Sequence, residues 1–228
     1  ISRSTYYKYA SLIKPHWTKR RRRKNYKPLR ANKINEYWHF DISYFKIRNN
    51  KKVYIYALID NFSRKILSWK CELKVRSTFV QEMLENALGK DIYKELILVS
   101  DGGTENTAMN IKELLFRIKM NSKSKVVHQI ALKDIRYSNS MIERFFRTMK
   151  YDYPHLIRNC TFYEIRKNLD KLINEYNFIR PHYANGYLTP DEAYRGQKQP
   201  NLSERFYESQ QERNKTNRNC SCSICNCT

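Results

Sequence analysis

The chain has 228 residues, of which 44 are lysine or arginine and 22 are aspartate or glutamate, so its formal net charge is +22 at pH 7. This excess favours a polyanionic partner, and nucleic acid is the polyanion whose phosphates exchange counterions for lysine and arginine. No stretch approaches the roughly 18 consecutive apolar residues of a transmembrane helix, so a membrane partner is not predicted. At this length the chain can bury one sizeable core with short appendages.

The first segment, residues 1–33, is basic and aromatic. Its cationic run Lys19–Lys24 would repel itself in isolation and extend until it meets phosphates. We therefore predict DNA contacts by Arg21, Arg22 and Arg23. The first residue is isoleucine and not methionine, from which we expect a fragment or a trimmed product of a longer chain.

Three strands are predicted next. Polar and apolar residues alternate along WHFDISYF, so Asp41 lies on the strand face opposite to Trp38 and Phe40. Turn residues at Asn49–Asn50 and Asn61–Ser63 separate this strand from the two that follow. The predicted strands are Tyr37–Ile47, Val53–Asp60 and Lys65–Leu73.

A helix and a second candidate acid follow. The helix is predicted at Ser77–Leu88, with Ser77 as its N-cap and Gly89 as its stop. The apolar run Leu96–Val99 is short enough to be a buried parallel strand, and Asp101 follows it before two glycines. Sites in open α/β sheets collect at the carboxyl ends of such strands, so Asp101 is a candidate site residue.

The third candidate acid lies on an amphipathic helix. In NSMIERFFRTMK the apolar residues form one stripe, which leaves Glu143, Arg147 and Lys150 together on the polar side. Considered alone, Glu143 also fits the acid of a capping box that begins at Ser140. The elements predicted before this helix are a helix at Ile111–Ile118 and a short strand at Val126–Val127.

Two further helices are predicted near the C-terminus. Thr161 and Glu164 have the spacing of a capping box, and a second box at Thr189 is followed by Pro190 at the first helical position. The segment Arg180–His182 interrupts the chain between these two helices.

The final segment, residues 196–228, is polar, and we expect it to be disordered. Four of the six cysteines lie there, and four thiolates are a possible set of zinc ligands. Only two of them have the usual two-residue spacing, however, and no apolar scaffold accompanies them. Cys71 and Cys160 are expected to be small core residues. The four tail cysteines are Cys220, Cys222, Cys225 and Cys227.

Five ordered strings resemble the integrase catalytic core of bacterial insertion-sequence transposases, which are relatives of retroviral integrases. They are WHFDISYF, ALIDNFSRKILSW, LVSDGGTEN, SNSMIERFFRTMK and YNFIRPHYANGYLTPDEAY. The resemblance covers residues 34–195 and implies an α/β ribonuclease H-like fold. In this fold a mixed sheet, three antiparallel strands and then parallel strands, is flanked by helices and followed by a helical C-terminal extension. Residues 1–33 would then contain the end of a truncated helix-turn-helix region.

The resemblance also implies a catalytic triad of Asp41, Asp101 and Glu143, with Lys150 as the basic residue seven positions after the glutamate. Such carboxylates suit two Mg2+ or Mn2+ ions, which are hard cations that take oxygen ligands and stabilise the attacking and leaving oxygens of a phosphodiester. We hypothesise that Asp41 bridges both ions, that Asp101 binds one and that Glu143 binds the other. The resemblance further implies that water attacks first and exposes a 3′-hydroxyl, which is then joined to a second strand. It also implies a homo-oligomer on double-stranded DNA and a cytoplasmic, nucleoid-associated location.

Several other residues have two interpretations. Glu105 adds a carboxylate near Asp101, where it either supports the site or is a solvated turn acid. Asp60 is expected to organise its turn as an Asx residue rather than bind metal, and His39 to be a satisfied core residue rather than a ligand. Exposed Arg147 and Lys150 either contact DNA or are merely solvated. Arg180 and His182 either contact DNA or stabilise their own loop.

Three functions remain open from the sequence. The first is a transposase that cleaves and joins DNA. The second is a structure-directed nuclease of the same fold, which hydrolyses without joining. The third is a non-catalytic DNA-binding remnant of a transposase. Metal-dependent cleavage separates the third from the others, and joining separates the first from the second.

Overall fold

The structure is a computed structural model that describes most residues between 29 and 197 and a few outside this range. The basic run with Arg21, Arg22 and Arg23 lies outside the described residues, and so do the four tail cysteines. The DNA contacts predicted there therefore stay predictions, and zinc binding by the tail cysteines stays an open question. The described residues are 2, 5, 29–89, 93, 95–121, 124–131, 139–157, 160–197, 207–208 and 210–212.

One mixed sheet organises this part of the chain. Its strands are β1 (Tyr37–Lys46), β2 (Lys52–Asp60), β3 (Ile66–Glu72), β4 (Leu96–Ser100) and β5 (Val126–Ile130). The order across the sheet is β3-β2-β1-β4-β5. The first three strands pair antiparallel, and β4 and β5 then continue the sheet in parallel beside β1. This topology confirms the predicted fold class.

Helices cover the sheet and continue beyond it. They are α1 (Ser77–Leu88), α2 (Met109–Asn121), α3 (Ser140–Asp152), α4 (Pro154–Ile157), α5 (Phe162–Asn174) and α6 (Pro190–Tyr194). A π-turn at Glu175–Ile179 extends α5. Within the described residues, none of the helices has the length and apolar character needed to cross a bilayer.

Apolar side chains pack on both faces of the sheet. Along β2, Ile55 and Ala57 face the layer that contains α3 and α5, which we call the first face. Their neighbours Tyr56 and Leu58 face α1 and α2 on the second face. A strand covered on both sides needs apolar residues at nearly every position, which explains the continuous run VYIYALI. Cys71 lies in the core of the first face, as predicted.

Two of the three predicted helix caps are confirmed. Thr161 and Thr189 each accept a hydrogen bond from the third helical N–H, and each forms a complete capping box. The prediction that Ser77 is an N-cap is wrong, because Arg76 occupies that position in an extended conformation and no side chain caps the helix. A tertiary contact fixes this start instead, since the Arg76 backbone N–H donates to the Tyr56 hydroxyl at 3.1 Å.

Two polar contacts attach the C-terminal extension to β3. The buried Asn177 side chain, presented by the π-turn, accepts from the Ile66 N–H and donates to the Ile66 carbonyl, both at 2.9 Å. Lys65 Nζ lies 2.7 Å from Asp191 Oδ1 in the first turn of α6. The extension therefore satisfies backbone groups of β3, the outermost strand on that side of the sheet.

Candidate active site

The parallel register of β1 and β4 brings two of the predicted acids side by side. Trp38 pairs with Leu98 and His39 with Val99. Continuing this register by two residues places Asp41 level with Asp101, on strands that are about 4.8 Å apart in any sheet. Asp41 shares its parity with His39, so its side chain lies on the first face, where α3 packs.

The third acid reaches this place from α3. The helix buries an apolar stripe that includes Ile142, Phe145 and Met149 against the first face, so that Glu143 is left exposed in its first turn. The N-cap is Asn139 and not Ser140, so Glu143 is not the acid of the capping box that the sequence allowed. Its position in the helix follows from the packing of the stripe.

Electrostatics connect Asp41 with the other acids. Burial raises the pKa of Asp41 from 3.8 to about 7, against a hydrogen bond from the Ile42 N–H that lowers it. The negative charges of Asp101, Glu143 and Glu105 raise this pKa further. Carboxylates from separate elements thus act on one partly buried carboxyl group, and the resulting excess of negative charge is what a bound cation would neutralise.

Asp101 is held by the loop that follows it, and Glu105 lies beside it. Asp101 Oδ1 accepts from the Gly103 N–H at 3.0 Å and from Asn106 Nδ2 at 2.6 Å. A methyl group built on Gly103 would lie 3.1 Å from Asp101 Oδ1 and 3.2 Å from Glu105 Oε1. Both carboxylates therefore border one small space that the absent side chain leaves open, which favours the interpretation of Glu105 as part of the site.

The acids do not form a finished coordination shell. Among the described residues, no three histidine, cysteine, aspartate or glutamate side chains are grouped so that they could hold a metal ion. Oδ1 of Asp41 accepts a hydrogen bond from the Ile42 N–H, and Oδ1 of Asp101 accepts the two bonds given above. Oδ2 of each residue makes no hydrogen bond within the part of the chain that the structure describes. One oxygen of each is thus oriented by the protein and the other is available, and the donor set is composed of oxygens, as Mg2+ prefers.

Asp60 lies apart from this group. It pairs with Trp38, and its parity on β2 directs it to the second face. Asp60 Oδ2 accepts from the Ser63 N–H and hydroxyl, both at 2.7 Å, and Oδ1 accepts from the Asn35 N–H at 2.9 Å. The prediction that Asp60 organises a turn is confirmed.

The basic residues of α3 are exposed along the helix that carries Glu143. Lys150 Nζ lies 5.2 Å from the centre of the Phe45 ring, and the Arg147 guanidinium lies 5.8 Å from that of Tyr151. Lys150 therefore lies over the ring of a buried core residue, and Arg147 lies over an exposed ring. Contact with DNA by Lys150 and Arg147 stays a prediction.

Arg180 and His182 have internal partners. Arg180 donates to Asp152 Oδ2 at 2.6 Å, at the end of α3. The His182 ring packs edge-on against Tyr176 at 4.7 Å. Burial first, and then the charges of Arg180 and Arg64, lower the pKa of His182 to about 4, so its ring is neutral at pH 7. These contacts support a role in holding the loop, and DNA contact by either residue stays a prediction.

His39 is a satisfied core residue, as predicted, but its partners were not foreseen. The ring is 1% exposed and makes hydrogen bonds to Asn61 and Asn139. Burial, the largest cause, lowers the pKa of His39 to about 4. Asn139 lies 100 residues away in the chain, so no local pattern could indicate this pair.

Comparisons with known proteins bear on the family and the fold. A sequence model described as Integrase core domain matches residues 31–125, and a second with the same description matches residues 133–190. The chain therefore belongs to the integrase core domain family. The solved structures that it resembles include a simian T-cell lymphotropic virus intasome in complex with the PP2A regulatory subunit B56 gamma, at a TM-score of 0.59 and 16% identity over 77% of this chain and 59% of that one. The HTLV-2 integrase catalytic core domain in complex with magnesium gives a TM-score of 0.53 and 17% identity, covering 72% of this chain and 99% of that one.

Two similar curated proteins are transposases. The transposase for insertion sequence element IS904 of Lactococcus lactis is 26% identical over 163 residues, which are 71% of this chain and 62% of the relative. The putative transposase InsK for element IS150 of Escherichia coli is 25% identical over 169 residues, which are 74% of this chain and 57% of the relative. The chain thus spans about three fifths of the length of these relatives.

Proposed function

We propose that this chain is the catalytic part of a transposase that cleaves 3′ ends of DNA and joins them to a second strand, with Asp41, Asp101 and Glu143 as catalytic carboxylates. The observation that carries the proposal is the convergence of the three acids. Asp41 lies level with Asp101 across β1 and β4, and after burial, the largest cause, the charges of Asp101 and Glu143 also raise the pKa of Asp41. Carboxylates from separate elements that converge on one partly buried carboxyl group are typical of a cation-binding or catalytic site. Family membership and the similarity to transposases support DNA joining as the activity of that site.

The proposal includes two Mg2+ or Mn2+ ions as cofactors. The residues fit them, since all candidate ligands are carboxylates, and the space at Gly103 lies between one of them, Asp101, and the neighbouring carboxylate of Glu105. When bound, such ions stabilise charge on the attacking and leaving oxygens of a phosphodiester and lower the pKa of attacking water. Asp41, between the other acids, would hold both ions, Asp101 would hold one and Glu143 the other.

The protein's own side chains have defined tasks in this proposal. Asp41 must release its proton when the site is loaded, because a pKa of about 7 leaves it half protonated near neutrality. Asn106 and the Gly103 N–H fix one oxygen of Asp101, so its other oxygen keeps a constant direction. Lys150 and Arg147, exposed along α3, would contact DNA phosphates.

The substrates in this proposal are the double-stranded ends of an insertion sequence and a target duplex. Water breaks the phosphodiester at the end of the element and leaves a 3′-hydroxyl. The oxygen of that hydroxyl then attacks a target phosphodiester and displaces its 3′ oxygen, without an enzyme-linked intermediate. Two ends must be held together, so we propose a homo-oligomer on DNA, located with the bacterial chromosome in the cytoplasm.

A strand-joining assay tests the proposal. Purified protein is incubated with labelled duplexes that carry the element's own flanking DNA, with Mg2+ or Mn2+, beside the variant Glu143→Gln. We expect joined products that require the metal and are absent with the variant. Hydrolysis without joining would identify a nuclease of the same fold. Salt-sensitive binding with no cleavage would identify a DNA-binding remnant and contradict the proposal.

The glycine at position 103 offers a test of the metal site. Gly103→Ala is expected to weaken Mn2+ binding by about tenfold, because its methyl group would displace the carboxylates of Asp101 and Glu105. Gly102→Ala is the matched control, since its methyl group meets only Ile130 Cγ2 at an ordinary 3.6 Å. Titration followed by electron paramagnetic resonance of free Mn2+ measures both affinities. Equal affinities for the two variants would remove the space at Gly103 from the site.

A further inference from the structure

Three buried amide and imidazole side chains form a continuous hydrogen-bonded chain beneath the acids. Asn61 Nδ2 donates to His39 Nε2 at 2.8 Å, and His39 Nδ1 lies 2.9 Å from Asn139 Oδ1. The Asn61 amide is oriented by its other contacts, because Oδ1 accepts from the Ala31 N–H at 2.9 Å and Nδ2 donates to the Leu29 carbonyl at 3.1 Å. Nε2 of His39 is therefore an acceptor, which puts the ring proton on Nδ1, facing Asn139.

Asn139 occupies the N-cap of α3 but does not cap it. Asparagine is favoured at this position because its side-chain oxygen accepts from an N–H of the first helical turn. Here no such bond exists. The oxygen accepts from His39 instead, and Nδ2 lies 3.5 Å from the Phe40 carbonyl. The helix thus gives up a local contact, and the same side chain connects it to β1.

Both ends of this connection are close to catalytic candidates. His39 is two residues before Asp41, on the same face of β1, and the Asn139 carbonyl accepts from the Glu143 N–H at 3.3 Å. Apart from the ion pair between Asp152 and Arg180 at its far end, α3 is held mainly by apolar contacts, which depend on area and have little directional preference. A hydrogen bond has strict limits of distance and angle. The pair therefore fixes the first turn of α3 relative to β1 in a way that the apolar stripe cannot.

We propose that His39 and Asn139 are positioning residues that set the place of Glu143 relative to Asp41, with Asn61 orienting the His39 ring. The inference rests on the proposed function for its catalytic consequence. Both side chains are buried, so they would act without touching the DNA. Their effect is geometric, since misplacing a reacting group by about 1 Å can lower a rate by roughly 100-fold.

Two amide substitutions of His39 separate positioning from stability. In His39→Asn the amide nitrogen takes the place of Nδ1 and can still donate to Asn139, but the contact with Asn61 is lost. In His39→Gln the amide reaches the place of Nε2, so the Asn61 contact is kept and the Asn139 contact is lost. Each variant removes one buried hydrogen bond. We expect His39→Gln to join DNA at least about tenfold more slowly than His39→Asn.

Asn139→Ser adds an independent variant. Serine is a good N-cap, so the helix itself stays capped, but its shorter side chain cannot reach His39. If Asn139 matters only for helix stability, this variant should be as active as the wild type. We expect it instead to be as slow as His39→Gln, with KM for DNA unchanged and the decrease confined to kcat.

Hydrogen exchange tests the proposal with a measurement that does not depend on DNA joining. Amide exchange in residues 139–146 is expected to be about tenfold faster in His39→Gln and Asn139→Ser than in His39→Asn, because the first turn of α3 has lost its anchor. Equal exchange and equal joining rates in the two His39 variants would overturn the positioning role. If the wild type itself does not join DNA, the proposed function fails, and the exchange rates still decide whether this pair anchors α3.

Discussion

Asp41→Asn is expected to make the metal-free protein more stable at neutral pH by about 4 kcal/mol, while it removes DNA joining. The stabilisation follows from the pKa of Asp41, which burial and then the neighbouring acids raise from 3.8 to about 7. Each tenfold change in an ionisation constant corresponds to about 1.4 kcal/mol of free energy. A neutral amide of the same shape avoids the burial of a charge and the repulsion from Asp101 and Glu143.

The pH dependence has a definite sign. In the unfolded chain Asp41 ionises near its ordinary pKa of 3.8, whereas in the folded protein it keeps its proton until about pH 7. Between these values the folded state binds more protons, so the free energy of unfolding falls as the pH rises and levels off above pH 7. The wild type and Asp41→Asn should therefore be about equally stable at pH 3.5 and differ most at pH 8. Urea unfolding at both values, with EDTA present, measures the difference.

Asp60→Asn is the matched control, because Asp60 is another strand aspartate whose pKa is raised chiefly by burial. Burial raises the pKa of Asp60 as well, against hydrogen bonds from Ser63 and Asn35. Its two oxygens serve different N–H donors, and an amide has only one oxygen to accept from them. We expect this variant to lose about 1–3 kcal/mol at pH 8, the cost of an unsatisfied buried donor. Stabilisation by both substitutions would show that burial alone explains the Asp41 result.

Magnesium should reduce the advantage of Asp41→Asn. A ligand that binds only the folded state stabilises it in proportion to the logarithm of its concentration over its dissociation constant. The wild type gains this free energy, and the variant, which lacks a carboxylate oxygen at the centre of the site, gains less. In about 10 mM Mg2+, the free energies of unfolding of the two proteins should therefore lie closer together than in EDTA.

Much of the fold could be predicted because its signals are local. Alternation around Asp41 and the apolar run before Asp101 fixed both strands, and the Thr161 box fixed the start of α5. The prediction for α1 placed its span correctly, yet it assigned the cap to Ser77. The cap differs because the Tyr56 hydroxyl, from a neighbouring strand, accepts from the chain just before the helix, and a sequence pattern carries no sign of this contact.

The parts of the site and of the fold that could not be predicted depend on long-range contacts. His39 and Asn139 are separated by 100 residues, and Asn177 and Ile66 by 111. Each asparagine also fits an ordinary local role, as a helix cap or a turn residue. The resemblance to integrase cores supplied the triad itself, because composition and periodicity could not have selected Asp41 over Asp60. Their opposite strand parity becomes informative only when it is known which face α3 covers.

The largest expected effect on activity comes from replacing the three acids. Asp41→Ala, Asp101→Ala and Glu143→Ala should each lower the rate of DNA joining by at least about 1000-fold, which corresponds to several kcal/mol of lost charge stabilisation in the transition state. The dissociation constant for DNA should change by less than about threefold at constant salt, because phosphate contacts by basic residues provide most of the affinity. Removing a negative charge would, if anything, strengthen binding.

The control for these variants is Glu113→Ala, which removes an exposed acid of α2, a helix that packs on the opposite face of the sheet. It should join DNA at the rate of the wild type. Gel-based joining assays and fluorescence anisotropy, on the same preparations, separate chemistry from binding. Joining retained by any one alanine variant would remove that acid from the site. Loss of binding together with joining would mean that the acids support the DNA-bound structure. If Asp41, Asp101 and Glu143 act on the reacting phosphate, joining must be lost while binding is kept.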